Sequence, residues 1–188
     1  MIGLKKICKW LFNYIKLLLL KIEYGKKIKI QFSGPSHPPY VSWKTKIVID
    51  RNACLVLKNG TYISSYCQIL LSKGAKIQLG RNVYIGEFSR LVSRNVIVIG
   101  KNTLLANNVS IYDHDHRFEN VNKTIAEQGF IEGSIKIGEN CWLGTNVVVL
   151  KDTSINKNSI VGANAVINGI NKISGVYVGI PAKLKKEL

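Results

Sequence analysis

The chain has 188 residues, 46% of them hydrophobic, and its 27 Lys and Arg against 11 Asp and Glu give a formal net charge of +16. That size suits one domain with a large core. The charge invites a nucleic-acid partner, but the lysines gather mainly at the two ends and no helix-turn-helix, zinc-finger or RNP-like pattern occurs, so nucleic acid is set aside in favour of a solvated basic surface. Cys8, Cys54, Cys67 and Cys141 show no Cys-x-x-Cys spacing and read as reduced thiols of a cytoplasmic protein.

In chain order, residues 1–30 hold eight lysines against one glutamate, and Ile2, Leu4, Ile7, Leu11, Tyr14, Ile15 and Leu18 recur at helical spacing. This predicts a basic amphipathic helix. The apolar run from Trp10 to Leu20 is too short to span a membrane and contains Lys16. A cleaved signal is also disfavoured, because Lys21, Ile22, Glu23 and Tyr24 stand where small residues should mark cleavage. Two readings remain. The helix docks on the rest of the protein or on another subunit, or residues 1–24 lie on an anionic membrane surface at its cytoplasmic face, and the second is preferred. Residues 31–46 read as a linker or entry segment.

From 47 to 178 an aliphatic residue returns every sixth place: Leu57, Ile63, Ile69; Leu79, Ile85, Leu91; Ile99, Leu105, Ile111; then Ile137, Leu143, Val149, Ile155, Val161, Ile167 and Ile173. Neither a helix nor a flat strand has that period, so short strands joined by corners are expected, as in an all-β parallel β-helix of hexapeptides. A small residue often follows the aliphatic one, as at Gly80, Gly86, Gly100, Ala106, Gly138, Gly144 and Gly162, and permits a tight backbone. The beat slips at 70–78 and 92–98, where extra residues should bulge at a corner. It stops between Ile111 and Ile137, and the polar segment 114–134 reads as a loop leaving the coil. Cys141, fifth in its hexad, should point inward as packing. Residues 179–188 form a basic tail.

The stretch IGENCWLGTNVVVLKDTSINKNSIVGANAVI followed by GIPAKLKK, with VSIYDHDHRF before the loop, resembles the hexapeptide-repeat acyltransferases. It is most similar to the acetyl-CoA-dependent sugar O-acetyltransferases of the galactoside, maltose, capsule and lipopolysaccharide type. The match covers roughly residues 45 to 188. The resemblance implies a left-handed β-helix, a homotrimer with its active site between subunits, acetyl-CoA as co-substrate and a saccharide acceptor, with no metal.

The same resemblance assigns His116 as the catalytic base. A sugar hydroxyl is barely ionised at neutral pH, and an imidazole can accept its proton as the oxygen attacks the thioester. Asp113, His114 and Glu87 fall on the acceptor side; Gly86 and Glu87 stand where the galactoside and maltose enzymes carry an asparagine. For the cofactor the matched positions are Trp142, Gly144 and Thr145 along the pantetheine arm, Gly162 and Ala163 on a second backbone edge, Asn168, and Lys183 and Lys186 toward the phosphates. Two alternatives stay open: an amino-sugar or antibiotic N-acetyltransferase, and a zinc site of the carbonic-anhydrase-like β-helices built on His114 and His116, which would need a third ligand.

Overall fold

The six-residue beat closes into a three-sided prism. The computed structural model describes residues 2–31 and 37–188, with side chains from Leu11 onward. After the helix α1 (Ile2–Tyr24) the chain visits three parallel sheets in turn. Sheet A has seven strands from Ile28–Gln31 to Ile170–Asn171, sheet B eight from Tyr40–Val41 to Ala182–Glu187, and sheet C six from Lys46–Ile49 to Val166–Ile167. The result is a left-handed parallel β-helix.

Within the coil each strand pairs in parallel with the one a coil later, so inward side chains stack in columns. In sheet A the column runs Leu57, Leu79, Ile99, Ile137, Ile155, all of it buried. Each such residue contributes on the order of 1.5–3 kcal/mol by leaving water. Gly100 follows Ile99 because coils touch there: a Cβ on it would lie 2.5 Å from the carbonyl carbon of Gly138. The left-handed turn residue comes two places later. Asn102, Asn140 and Asn158 adopt φ of 57°, 53° and 58° at the corner between sheets A and B, a conformation asparagine tolerates better than most residues. Their side chains extend the stacking outside the core, with Asn140 Nδ2 donating to Asn158 Oδ1 at 2.9 Å.

The slips do not bulge. Leu57 pairs with Leu79 22 residues on, Leu79 with Ile99 20 residues on, and Ile137 with Ile155 18 residues on. All the shortening falls between sheets C and A, where Gln68–Leu71 and Lys76–Leu79 are four-residue strands and Val148–Val149 and Ser154–Ile155 have two. The surplus residues put Leu71 and Ile77 into the core and widen the prism. At the other end the beat fails: Ile173 is exposed, and Tyr177 takes the inward place opposite Val161. The segment 31–46, read as a linker, carries the strand Tyr40–Val41 of the first coil, whose Val41 and Ile47 already keep the six-residue spacing; residues 32–36 lie outside the description.

The helix has two apolar stripes, and the structure separates them. Asn13, Leu17 and Leu20 are buried against the first coil, with Tyr24 half-buried beside them. Asn13 Nδ2 donates to the Pro39 carbonyl, its Oδ1 accepts from Val41 N–H, and the Tyr24 hydroxyl donates to the Ile47 carbonyl. Leu11, Ile15, Leu18 and Ile22, half a helical turn away, are exposed. The stripe read from sequence is this exposed one; its members Ile2, Leu4 and Ile7 lie outside the described side chains, as does Cys8. Among the described residues no helix is long and apolar enough to cross a membrane. The docked stripe closes the open mouth of the core, as terminal caps do in solenoids. Leu20→Ala should therefore cost about 2–5 kcal/mol, whereas Leu18→Ala should leave the denaturant midpoint nearly unchanged. Equal losses in the two variants would mean that the helix does not dock in this way.

Candidate active site

The excursion begins where the coil's own corner is tied down by a buried carboxylate. Asp113 is 0% exposed. Its Oδ2 accepts from the Ser93 hydroxyl at 2.6 Å and Asn95 N–H at 3.1 Å, and its Oδ1 from Arg94 N–H at 2.8 Å. The fourth partner is His114 Nδ1, 3.1 Å from Oδ1, so the carboxylate orients that ring. The main chain closes the base of the excursion, because Gly133 N–H donates to the Asp113 carbonyl and Asn95 Nδ2 donates to the Gly133 carbonyl. Asp113 thus faces the protein interior and meets a ligand only through His114.

Beyond this staple the polar segment is a hairpin arm. His114–His116 pairs antiparallel with Phe130–Glu132, His116 lying opposite Phe130. The six-residue count does not extend to His116, since the coil ends at Asp113. Strand alternation places His114 and His116 on one face, and Phe130 lies between them, its ring centre 5.4 Å and 4.4 Å from theirs. The Arg94 guanidinium carbon sits 3.3 Å from the centre of the Phe130 ring, a cation–π contact. His114 is half-buried. His116 is exposed, and its ring nitrogens bond no other described residue. On the other face Asp115 lies 3.8 Å from Lys151, which also bonds Asp152. At the tip Thr124 and Glu127 form a capping box, and the Thr124 hydroxyl and N–H hold the Glu127 carboxyl below its usual range. Arg94, Phe130, Ser93 and Asn95 were missed from sequence; only the slip at 92–98 marks their corner.

The cofactor positions gather elsewhere. Gly144, Thr145, Gly162 and Ala163 form two stacked steps of the corner between sheets B and C. A Cβ on Gly144 would meet Ala163 N at 2.7 Å, so this edge is bare backbone against which an extended ligand can lie. Trp142 is exposed on the outer face of sheet B, in a column with Ile160, Val176 and Lys186. A register shift between Val176 and Tyr177 leaves Lys185 unpaired, and it brings Lys183 and Lys186 onto the same outer face as Trp142. Glu87 is half-buried on this B/C corner, in a lower coil. Asn168 does not join the group. It follows Ile167 into the C/A corner, the corner from which the histidine arm springs.

Two half-sites therefore stand on opposite edges of sheet C. Asn108 and Asp113, at those edges in the coil that launches the arm, are separated by five extended residues, about 16 Å. A concavity of about 670 Å³ belongs to neither; it lies along sheet A among Lys58, Arg81, Lys101 and Lys136. Among the described residues no three His, Cys, Asp or Glu converge as a metal site, and His37 sits at the A/B corner, its carbonyl accepting from Gly60 N–H. Cys67 and Cys141 are buried packing thiols, Cys67 pushed up to about 11 by desolvation.

Comparison with known proteins agrees with this architecture. Residues 134–169 match the family model described as bacterial transferase hexapeptide (six repeats). The chain is 34% identical over 113 residues to a probable acetyltransferase of Mycobacterium tuberculosis, covering 60% of this chain and 36% of that one. It is also 34% identical over 113 residues to the putative lipopolysaccharide biosynthesis O-acetyl transferase WbbJ of Escherichia coli K12, covering 56% and 58%. To the E. coli galactoside O-acetyltransferase it is 26% identical over 165 residues, covering 87% and 77%. The match thus spans little more than half, or less, of the first two relatives. Among solved structures, a mutant of AntD, an N-acyltransferase from Bacillus cereus bound to dTDP and coenzyme A, superposes with a TM-score of 0.71 at 16% identity, covering 89% of this chain and 87% of that one. In repeat, sequence and fold, the chain is similar to the hexapeptide-repeat acyltransferases.

Proposed function

We propose that the protein transfers an acetyl group from acetyl-CoA to a hydroxyl of a cell-surface saccharide or its precursor. The observation that carries this reading is the pair of half-sites: an exposed imidazole on a stapled arm, and a bare backbone edge flanked by Trp142, Lys183 and Lys186. In the proposed step His116 removes the acceptor hydroxyl proton while the oxygen attacks the thioester carbonyl. Backbone N–H groups steady the oxyanion. Collapse of the tetrahedral intermediate breaks the C–S bond, and the imidazolium returns its proton to the departing sulfur. An alcohol needs such a base more than an amine does, and a ring nitrogen with no partner among the described residues is free to serve, which favours O- over N-transfer.

Geometry also supports a homotrimer. An arm on one edge of sheet C and a cofactor edge about 16 Å away make a working site only when neighbouring copies each contribute one. The exposed stripe of α1, with Lys21, Lys26 and Lys29 nearby, supports the further proposal that the protein sits on an anionic membrane surface at its cytoplasmic face.

Replacing His116 with Ala should lower kcat by about 10² to 10⁴ while acetyl-CoA binding, measured by calorimetry, changes little; wild-type turnover would remove His116 from the chemistry. Changing both Lys183 and Lys186 to Ala should raise KM for acetyl-CoA more than for acetyl-pantetheine, which lacks the nucleotide. Equal effects would place these lysines away from the phosphates. For the membrane, co-sedimentation should need acidic vesicles and weaken with salt, each nearby lysine contributing about 1 kcal/mol. Leu18→Gln with Ile22→Gln should abolish it without lowering Tm; vesicle binding unaffected by that pair would refute the assignment.

A further inference from the structure

We infer that the protein stands upright on the bilayer and acetylates a sugar held well above it, on an oligosaccharide carried by a membrane lipid rather than on a free nucleotide sugar. This rests on the acetyl-transfer and membrane readings above. The orientation follows from how α1 crosses the mouth of the prism. Asn13 is fixed to the first strand of sheet B through Pro39 and Val41, Tyr24 to the first strand of sheet C through Ile47, and Leu17 and Leu20 fill the space between. The helix therefore lies across the end of the coil, and its exposed stripe of Leu11, Ile15, Leu18 and Ile22 points away from the prism along the prism axis.

Neighbouring features face the same way. Phe12 and Leu19 widen the apolar face, and Trp43, also exposed, lies in the first coil with the Lys16 ammonium 5.3 Å from its ring. Lys21, Lys26 and Lys29 are exposed at this end, within reach of an anionic surface, whereas charges several coils up lie beyond a Debye length of about 8 Å. An apolar face rimmed by cations fits an anionic bilayer. With that face on the bilayer, the strands lie parallel to it and the coils stack away from it.

The height of the chemistry can then be read from the fold. The arm springs from Ser110–Tyr112, the fourth strand of sheet C counted from Lys46–Ile49. Three strand spacings of about 4.8 Å and a helix about 10 Å thick put the base of the arm roughly 25 Å above the apolar face. A sugar attached directly to a lipid headgroup falls short of that height. A nucleotide sugar, free in solution, gains nothing from an enzyme fixed to a surface. A lipid-borne chain of several sugars reaches it.

Two measurements test this with the full chain. Fluorophores placed singly at Ile22→Cys and Ile170→Cys, in protein with Cys8 and Cys54 changed to Ser, are read against vesicles of roughly one-third phosphatidylglycerol carrying a headgroup quencher. Strong quenching at Ile22 and none at Ile170, in the last strand of sheet A, is expected. Quenching at both overturns the upright stance while keeping membrane binding. Quenching at neither, with Ile22 shielded before vesicles are added, shows that a second copy covers the stripe and overturns both. Membranes from the source cells, incubated with radiolabelled acetyl-CoA and the protein, should then yield label in lipid-linked oligosaccharide. Label in nucleotide sugars or single-sugar lipids overturns the substrate inference, and no incorporation anywhere sinks the acetyl-transfer reading itself.

Discussion

Each coil of this protein rests its main chain directly on the next, and that contact dictates most of what the sequence contains. Parallel strands about 4.8 Å apart leave one column of inward positions per sheet, filled by Leu, Ile or Val, and no room for a side chain where corners touch, as at Gly100 over Gly138. The left-handed turn that follows needs asparagine or another tolerant residue, as at Asn102 and Asn140. Because each coil is stabilised only by its neighbours, the first one needs a lid. Leu17 and Leu20 of α1 provide it.

Length can vary only where this stacking permits. From Val41 onward every insertion in the coil, whether the longer strands around Leu71 and Ile77 or the whole excursion from His114 to Gly133, falls between sheets C and A. Over the same range the other two corners keep their six-residue step and hence their glycines and asparagines. The histidine arm is an elaboration of that variable corner, and Asp113 is its anchor. Three of its four hydrogen-bond donors come from the corner of the preceding coil and the fourth from the arm itself. A buried carboxylate so supplied costs little to desolvate, and removing it would strand those donors.

What could be read from the sequence followed the period. Inward positions from Leu57 to Ile167 repeat too strictly to mistake, and Gly144 and Gly162 mark a bare edge because their spacing is local. Readings that needed long-range geometry went astray. Ile173 keeps the beat yet is exposed, since the last coil is shorter. The slips suggested bulges, because a count cannot show that two strands lengthen together. The arm's aromatic and cationic packing, Phe130 with Arg94 and two histidines, joins residues distant in sequence and carries no local signal. Asn168 followed the repeat to the wrong corner of sheet C for a cofactor edge within one chain. In α1 both stripes were present at helical spacing, and only packing shows that Asn13, Leu17 and Leu20 take the docked side.

The division of candidate residues between two edges of sheet C is the centre of this account. His114 and His116 stand at one edge, Gly144, Thr145, Gly162 and Ala163 at the other, and no motion of a stapled arm bridges about 16 Å of sheet. A crystal structure of the assembled protein with acetyl-CoA bound measures this most directly. The account predicts the pantetheine arm along the Gly144–Gly162 edge, with its thioester carbon within about 4 Å of a neighbouring copy's histidine arm and far from its own. A thioester seated beside the histidine arm of the same chain would contradict it.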